Sequence, residues 1–300
     1  MRALVKIQQG LIVCLIMMYL YYCMYDYLVV GAGMFGCTFS RHVAEKGKKV
    51  LIVDGRDHIG GNCYTKDVGG IHVHKYGPHS FHTNSDVVWF FLNRFAKFNN
   101  FQAHTKVNYQ GKIFSFPVNL MTLNQLWGVT TPEEAESVLK SVRIPCDNPS
   151  NLEDWILSQV GEEIYETFIK GYTAKQWNRH PSLLPSSIIK RLPIRLNYDD
   201  RYFDDKYQGI PIGGYTAMFE NMIDHENIKI SLNTFYEHSL RSDCRKLVYT
   251  GRIDEFFDYK FGALDYRSLR FEESMLEGNF QGNAIMNFTE TNVPLSLIHI

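Results

Sequence analysis

Three glycines and one aspartate near the start of the sequence have the spacing of a dinucleotide-binding site. Gly31, Gly33 and Gly36 form a G-x-G-x-x-G pattern directly after an apolar run. The first glycine permits a tight turn, the second lets the backbone approach a pyrophosphate, and the third allows close packing of helix on strand. Asp54 ends the next apolar run, where an acid accepts a hydrogen bond from a ribose hydroxyl. This pattern predicts that the region binds a dinucleotide.

A second glycine pair follows the acid and favours FAD over NAD. Gly60 and Gly61 precede Asn62, and Arg56 stands between Asp54 and this turn. NAD enzymes seldom carry such a pair here, whereas FAD proteins related to glutathione reductase often do, because the long flavin arm passes a second backbone turn. We expect these residues to belong to the cofactor site. The alternative for Arg56 is a solvated loop charge.

Histidines cluster in the sequence HVHKYGPHSFH, residues 72–82. Several histidines together suggest a metal site, but no acidic or thiolate partner stands at ligand spacing, so metal binding is disfavoured. One alternative is that His72 and His74 simply line the polar face of a strand. The sharper one is that His79 and His82 flank a glycine–proline turn beside a flavin.

Four aspartates lie close together further along the chain and suggest paired carboxylates for sugar chemistry. The simpler interpretation, which the sequence favours, is that they are solvated loop acids and caps. The four residues are Asp199, Asp200, Asp204 and Asp205.

The segment FIKGYTAKQW, residues 168–177, combines rings and lysines around a glycine. On an unbroken helix Phe168 and Tyr172 lie about 40° apart, and Trp177 lies roughly 140° from Tyr172. Either Trp177 is a core residue, or the helix breaks near Thr173 and all three rings face one cleft. Rings in a cleft would stack on a base or a sugar. Periodicity alone favours the core interpretation.

Hydrophobic patterning predicts the elements that position these residues. Residues 25–54 have the pattern of strand, glycine turn, helix and strand, which is one βαβ unit. The chain from 123 to 191 has a mostly helical pattern, with a capping sequence at Thr131. After the last predicted strand we expect no closing element. The other predictions are a strand at 71–75, a helix at 85–96, a hairpin at 107–118, strand or loop at 195–203, a helix at 215–224, and strands at 228–232, 247–251 and 284–287.

Composition and charge describe an ordinary globular chain. The sequence has 300 residues, 45% of them hydrophobic, and a formal net charge of −1, so no bulk attraction to nucleic acid is expected. Six cysteines at irregular spacings, with no C-x-x-C pair, favour a reducing compartment over a disulfide framework. We therefore predict a cytoplasmic protein.

An apolar run, residues 11–23, precedes the first predicted strand. It has the length of a signal-peptide core and is short for a membrane span, but no small-residue cleavage site follows it. We interpret residues 1–23 as an extension ahead of a start at Met24. A membrane anchor and a cleaved signal are the alternatives, and membrane contact is expected only from this segment.

Six motifs in register, over about residues 25–294, closely resemble the bacterial UDP-galactopyranose mutase family of flavoproteins. A set of six is far more specific than a single glycine pattern. The motifs are GAGMFG, RDHIGGN, HKYGPHSFHT, FIKGYTAKQW, IIKRLPIRLNYDDRYF and IPIGGYT.

The resemblance implies an isomerase that interconverts UDP-galactopyranose and UDP-galactofuranose with no net redox change. In this family only reduced FAD works: its N5 attacks the anomeric carbon, displaces UDP and forms an adduct in which the sugar ring opens and recloses. The product supplies galactofuranose for cell-wall or lipopolysaccharide glycans. The family is commonly dimeric, so a homodimer is implied.

The implied fold is mixed α/β: a Rossmann-like FAD-binding domain with an inserted helical domain and an antiparallel-sheet substrate domain. The FAD-binding domain is expected in two parts of this chain. The boundaries are 1–23 for the extension, 24–104 and 211–256 for the FAD-binding domain, 121–192 for the helical domain, and 105–120 (a hairpin), 193–210 (a strand) and 257–294 for the sheet domain.

The resemblance also assigns roles to individual residues. Arg191 matches an arginine on a loop that closes over the diphosphate, where a guanidinium stabilises the departing UDP charge. His82 matches the histidine next to the flavin, and both His79 and Gly214 are expected at the cofactor. The residues expected at the substrate, besides Arg191, are Phe168, Tyr172, Thr173, Trp177, Tyr202 and Asn287.

The sequence departs from the family pattern at both ends. Residues 1–23 are extra, and the residues after Pro294 do not match, whereas family members continue with a segment that completes the flavin site. We interpret the chain as a truncated copy. The competing functions are an amine-oxidase-like FAD oxidoreductase and an inactive FAD- or UDP-binding remnant.

Overall fold

The structure is a computed structural model that describes residues 24–190 and 192–300. The predictions made for residues 1–23 and for Arg191 lie outside the described residues. The chain divides into two compact units. Among the described residues, the first contains the chain from Met24 to His79, Ser85–Asn99 and Ile210–Phe271, and the second contains Ser80–Asn84, Asn100–Gly209 and Glu272–Ile300.

The described residues form strands and helices that mostly follow the predicted order. A π-helix, Tyr165–Lys170, lies directly between the α-helices Leu152–Ile164 and Gly171–Trp177. In chain order the elements are β1 (Tyr25–Val30), α1 (Met34–Ala44), β2 (Val50–Val53), β3 (Thr65–Val68), β4 (Ile71–His74), β5 (Phe81–Thr83), α2 (Asp86–Leu92), β6 (Thr105–Tyr109), β7 (Lys112–Phe116), α3 (Leu120–Trp127), α4 (Pro132–Val142), α5 (Leu152–Ile164), α6 (Gly171–Trp177), β8 (Tyr207–Gly209), α7 (Gly214–Ile223), β9 (Ile228–Ser231), β10 (Cys244–Tyr249), α8 (Ile253–Phe256), β11 (Ile285–Phe288) and β12 (Leu297–His299).

The first unit is built on a parallel sheet with the strand order β10–β1–β2–β9. Strand β1 lies inside the sheet, and Leu28 and Val29 are both almost completely buried. Burial on both faces explains why this strand is a continuous apolar run rather than an alternating one. The predicted βαβ unit is confirmed, and α1 packs on the sheet through an edge-to-face contact of Phe39 with Tyr27. Helix α2 is shorter than predicted and ends at Leu92.

The second unit contains a four-stranded sheet with the order β12–β11–β6–β7. The hairpin β6–β7 and the pair β11–β12 are antiparallel, but β11 runs parallel to β6. The sheet is therefore mixed rather than antiparallel throughout. Strand β11 arrives from a distant part of the chain, so no tight turn dictates its direction. The expectation of no closing element was wrong, because β12 pairs with β11.

The core of the second unit lies between one face of this sheet and helices α3 to α5. Val107, Leu123 and Leu139 are completely buried in it. Helix α4 begins with the predicted capping box: Thr131 Oγ1 accepts from the N–H of Glu134 at 3.2 Å, and Glu134 accepts from the N–H of Thr131 at 3.1 Å. Such reciprocal bonds satisfy donors that the first turn of a helix leaves unpaired.

The domain boundaries differ from the predicted scheme in two places. Residues 193–210 were expected as a sheet-domain strand, but only Tyr207–Gly209 is a strand, and it pairs with β5 instead of the large sheet. In the loop before it, Arg195 donates to the carbonyl oxygens of Asp199 and Arg201, which competes with strand pairing. Residues 257–271 fall in the first unit. The division of the second unit into helical and sheet domains stays a prediction.

Along the described residues, no helix combines the length and the apolar character needed to cross a bilayer.

Candidate functional site

The first glycine turn of the first unit leaves no room for a side chain at two of its three glycines. Gly31 has a φ of +105°, and a Cβ there would lie 2.1 Å from Thr250 Oγ1. A Cβ on Gly36 would lie 1.9 Å from the carbonyl oxygen of Gly31. Gly33 caps α1 without any side-chain hydrogen bond, and the first turn of α1 has no acidic residue. The N–H groups at this helix end therefore suit a phosphate.

The second glycine turn packs directly on the first. Gly60 and Gly61 both have positive φ, and the N–H of Gly60 donates to the carbonyl of Ala32 at 2.8 Å. A Cβ on Gly61 would lie only 3.1 Å from the Cα of Gly33. The two turns thus form one backbone surface, which we call the glycine cradle and define as residues 31–36 and 60–62. Its two closely packed glycine turns fit the backbone approach that a dinucleotide needs.

Asp54 holds the cradle together from the end of β2. Its Oδ2 accepts from the N–H of Ala32 at 2.7 Å, and its Oδ1 accepts from the N–H of Arg56 at 2.9 Å. Each carboxylate oxygen keeps a further lone pair for a ribose hydroxyl. Arg56 is tethered rather than freely solvated, because it donates to Asn62 Oδ1 at 3.0 Å and lies 4.7 Å from the centre of the Tyr76 ring.

His58 is a residue of this site that the sequence analysis missed. Its Nδ1 lies 3.0 Å from the carbonyl of Ile59, its Nε2 lies 2.7 Å from the Tyr76 hydroxyl, and its ring stacks on Tyr64 at 3.9 Å. These contacts brace the second glycine turn. The only signal in the sequence was its position inside the RDHIGGN motif.

The other predicted cofactor residues of the first unit lie around the β3–β4 hairpin and α7. The N–H of His79 donates to His74 Nδ1 at 3.1 Å, and His79 Nδ1 donates to the carbonyl of Gly77 at 2.8 Å. Gly214 begins α7 with a φ of +84°, and a Cβ there would lie 2.9 Å from His72 Nδ1. Within the described residues, no three or more His, Cys, Asp or Glu side chains are arranged to hold a metal ion.

The helical segment 165–177 of the second unit follows neither predicted alternative. The helix does not break near Thr173, since α6 continues to Trp177. Trp177 is 37% exposed and is not a core residue. Phe168, in contrast, is only 2% exposed and packs edge-to-face on Phe114 at 5.2 Å. The turn of a π-helix is wider than that of an α-helix, so it changes the angle between Phe168 and Trp177 around the helix axis. A uniform helical period does not reveal this change.

This burial corrects the expected role of Phe168. Its ring lies in the hydrophobic core, so it has almost no surface for direct contact with a nucleotide. Thr173 is also buried, whereas Tyr172 is half-buried. Of the predicted aromatic contacts in this segment, Tyr172 and Trp177 therefore keep accessible ring surface.

Helix α6 lies so close to the end of β11 that residue 171 must be glycine. A Cβ at this position would lie 2.0 Å from the carbonyl oxygen of Thr289. The same threonine donates through Oγ1 to the carbonyl of Thr167 at 2.6 Å. The glycine in FIKGYTAKQW therefore serves packing and does not break the helix.

Lys175 is a structural cation. Its partly buried ammonium group fastens α6 to the chain that follows β11, and three donors on one ammonium match three acceptors. The acceptors are the carbonyl oxygens of Phe288 (2.8 Å), Val293 (3.1 Å) and Leu295 (2.7 Å).

Two further predicted substrate residues lie elsewhere in the second unit. The N–H of Tyr202 donates to the carbonyl of Ala103 at 2.7 Å, and its half-buried ring packs against Phe203. Asn287 is 7% exposed, and its Oδ1 has no hydrogen-bond donor within the residues that the structure describes. A buried amide oxygen without a donor is uncommon in folded proteins.

The four aspartates support the simpler interpretation, because none pairs with another carboxylate. Asp199 binds Arg201, Asp200 binds His104 and Lys106, and Asp204 binds Arg195. Asp205 is different, since its partner is His82, at 2.7 Å between Asp205 Oδ2 and His82 Nδ1.

The fold and the glycine cradle define a dinucleotide-binding protein of the Rossmann type. The family model described as NAD(P)-binding Rossmann-like domain matches residues 29–95, and the model described as UDP-galactopyranose mutase matches residues 167–299. The second match includes the tail after Pro294, contrary to the expectation that this tail departs from the family.

Similar proteins identify the family more closely. A Klebsiella pneumoniae protein named probable UDP-galactopyranose mutase is 44% identical over 275 residues, which cover 90% of this chain and 72% of that protein. An Escherichia coli dTDP-fucopyranose mutase is 42% identical over 282 residues, covering 90% and 75%. The chain belongs to the UDP-galactopyranose mutase family, as its motifs predicted. This membership supports FAD as the cofactor.

A solved structure of reduced UDP-galactopyranose mutase shares the fold. The TM-score is 0.54 at 19% identity, and the match covers 69% of this chain and 48% of that one. The matched part therefore spans about half of the solved protein.

Proposed function

We propose that the protein interconverts UDP-galactopyranose and UDP-galactofuranose with bound, reduced FAD. The observation that carries this proposal is the 44% identity to the Klebsiella pneumoniae protein over 90% of the chain. The glycine cradle supports it independently, because a dinucleotide fits its backbone surface.

The cradle residues would hold the cofactor. The N-terminal end of α1 and the backbone at Gly31, Gly33 and Gly36 would receive the pyrophosphate. Asp54 would accept from a ribose hydroxyl while it clamps the turn. Reduced FAD supplies the nucleophile toward the anomeric carbon of the sugar. The remaining residues proposed at the cofactor are Arg56, Gly60, Gly61, Asn62, His79, His82 and Gly214.

The second unit would hold the nucleotide sugar through rings and an amide. Tyr172, Trp177 and Tyr202 retain accessible or half-buried rings for stacking on uracil or the sugar. Asn287 offers an acceptor that lacks a donor in the described structure. Phe168 and Thr173 would support this surface from the core. Arg191 is proposed to balance the charge of the diphosphate.

The substrate test compares two nucleotide sugars. The Escherichia coli relative acts, by its name, on dTDP-fucopyranose and is almost as similar as the first, so dTDP-fucopyranose is the second candidate. The purified chain is loaded with FAD, reduced with dithionite and given UDP-galactofuranose or dTDP-fucofuranose, and the pyranose products are separated by chromatography. We expect conversion of the UDP sugar in the reduced protein and none in the oxidised control.

Binding measurements separate the remaining alternatives. Calorimetric titration with UDP should show that Trp177→Ala weakens binding about tenfold, as expected for the loss of one stacking contact. Binding of UDP without turnover by the reduced, FAD-loaded chain would identify a remnant and refute the proposed activity. Oxygen consumption with amines, without UDP binding, would indicate an oxidase.

The homodimer and the cytoplasmic location stay predictions.

A further inference from the structure

The imidazole of His82 is held from two directions by residues near β8. Asp205 Oδ2 lies 2.7 Å from its Nδ1, and the Phe203 ring stacks on it at 3.6 Å between centroids with an angle of 12°. The hydrogen bond fixes rotation within the ring plane, and the stacking fixes the plane itself. A side chain that is 39% exposed is thereby confined to one orientation.

A chain of hydrogen bonds determines where the protons lie. The N–H of Lys206 donates to Asn84 Oδ1 at 2.9 Å, so the other end of the Asn84 amide is its NH₂ group. That group donates to Asp205 Oδ1 at 2.6 Å. An ionised carboxylate only accepts, so His82 must donate to Asp205 Oδ2 through Nδ1–H.

The second ring nitrogen is consequently the accepting one. When the His82 ring is neutral, only one of its nitrogens carries a proton, so Nε2 then presents a lone pair. Within residues 24–190 and 192–300, Nε2 has no hydrogen-bond partner. It is therefore available to an N–H or O–H group of a bound molecule.

We propose that Asp205 is a positioning residue for His82: it fixes the Nδ1–H tautomer and the ring orientation, so that Nε2 acts as a hydrogen-bond acceptor in the reaction. This inference rests on the proposed function, in which His82 lies beside the cofactor. A carboxylate that orients a catalytic imidazole through Nδ1–H is an established arrangement in other enzymes.

The Asp205→Asn variant tests the tautomer because an amide has only one accepting atom. Asn84 can only donate toward residue 205, because its Oδ1 already accepts from the N–H of Lys206. In the Asp205→Asn variant the amide oxygen therefore turns toward Asn84, and the NH₂ group of the same amide faces His82. Nδ1 must then accept, and the proton moves to Nε2. Asp205→Glu keeps two accepting oxygens and should retain the original tautomer.

The measurement is long-range ¹⁵N NMR of the histidine rings, with the His82 signal assigned by its loss in His82→Gln. We expect the Nδ1–H form in the wild-type chain, the Nε2–H form in Asp205→Asn, and no change in Asp204→Asn. Asp204 is the matched control because it is 68% exposed and pairs with Arg195. An Nε2–H form in the wild-type chain would overturn the inference even if the variants fail to fold, and so would an unchanged tautomer in Asp205→Asn.

Kinetics then connect the tautomer to the reaction. With FAD-loaded, reduced protein, Asp205→Asn should lower kcat about 10- to 100-fold with KM changed less than about twofold, and Asp204→Asn should leave kcat unchanged. Inversion of the tautomer without a fall in kcat would contradict the proposed role. If the wild-type chain has no turnover but shows the expected NMR pattern, the proposed function fails while the tautomer assignment stands.

Discussion

The glycine cradle of the first unit and the region proposed to hold the substrate in the second unit are built in different ways. The cradle lies within residues 31–62, and its contacts are mostly backbone to backbone or carboxylate to backbone. The proposed substrate region combines side chains from the π-helix, α6, the loop before β8, and β11. A short sequence pattern therefore defines the first region, whereas only long-range packing defines the second.

Two glycines show this difference most directly. At both Gly36 and Gly171 a Cβ would lie about 2 Å from a carbonyl oxygen, at 1.9 Å and 2.0 Å respectively. The oxygen near Gly36 belongs to Gly31, five residues upstream, and the one near Gly171 belongs to Thr289, more than 100 residues downstream. The requirement for glycine is the same, but only the first can be predicted from neighbouring residues.

The largest expected effect comes from adding a methyl group at these glycines. Gly36→Ala and Gly171→Ala should each lower the free energy of unfolding by roughly 3 kcal/mol, because a backbone atom must move. Hydrogen exchange should show the loss of protection around β1 for the first variant and around α6 and β11 for the second. Urea unfolding gives the magnitudes.

The control for this pair is Gly33→Ala. Its Cβ would lie 3.8 Å from the Cα of Gly61, an ordinary contact, so stability should stay within about 1 kcal/mol while FAD binding weakens. An alanine in an unobstructed helix is favourable by about 1 kcal/mol relative to glycine. A stabilised Gly171→Ala protein would therefore show that the close approach to Thr289 is absent.

The next largest effect concerns the ammonium group of Lys175. Lys175→Met removes the donor for three carbonyl oxygens and should cost about 1–3 kcal/mol. The loss of hydrogen-exchange protection should concentrate in residues 288–299. Lys170→Met is the matched control, since the ammonium group of Lys170 makes a partly exposed pair with Glu166 and lies 5.8 Å from the centre of the Tyr165 ring, contacts worth about 0.5–1 kcal/mol together. If the two variants destabilise the protein equally, Lys175 does not have the structural role assigned to it.

The capping box of α4 is the feature of the second unit that is as local as the cradle. Thr131→Ala should lower the free energy of unfolding by about 1 kcal/mol, because the N–H of Glu134 loses its acceptor, Thr131 Oγ1. Thermal unfolding measures this change. Ser141→Ala, near the end of the same helix, should have almost no effect, since its hydroxyl donates only to the carbonyl of Val138. A neutral Thr131→Ala variant would mean that the box adds nothing to stability.

The smallest effect is an acid-dependent one in the first unit. Hydrogen bonds from Arg94 and then Arg41 lower the pKa of Glu45 from 4.5 to about 2. The lowered pKa means that the carboxylate stabilises the fold above pH 4.5, and that this contribution is lost as the pH falls from 4.5 toward 2. The site is partly exposed, so we expect less than about 1 kcal/mol. Glu45→Gln should flatten this part of the stability–pH curve, and an unchanged curve would refute the assignment.

The local part of the fold was predictable because its signals lie within a few residues of each other. The βαβ unit, the capping box at Thr131 and the hairpin at 107–118 follow from periodicity and turn chemistry, and all three are present. The family was also predictable, because six motifs stand in register.

Other features depend on contacts that no local pattern carries. The burial of Phe168 depends on a π-helix, and the direction of β11 depends on its pairing with a strand far upstream. The bracing of the second glycine turn by His58 and the bond between Asp205 and His82 belong to the same class.

The amino-acid sequence alone determined the dinucleotide-binding turn, the family and the candidate residues, since glycine spacing and helix capping act through neighbours along the chain. Only the tertiary structure decided which ring is core, why Gly171 must be glycine and which aspartate binds His82. Each of these depends on chain segments brought together by hydrophobic burial, whose partners periodicity does not specify.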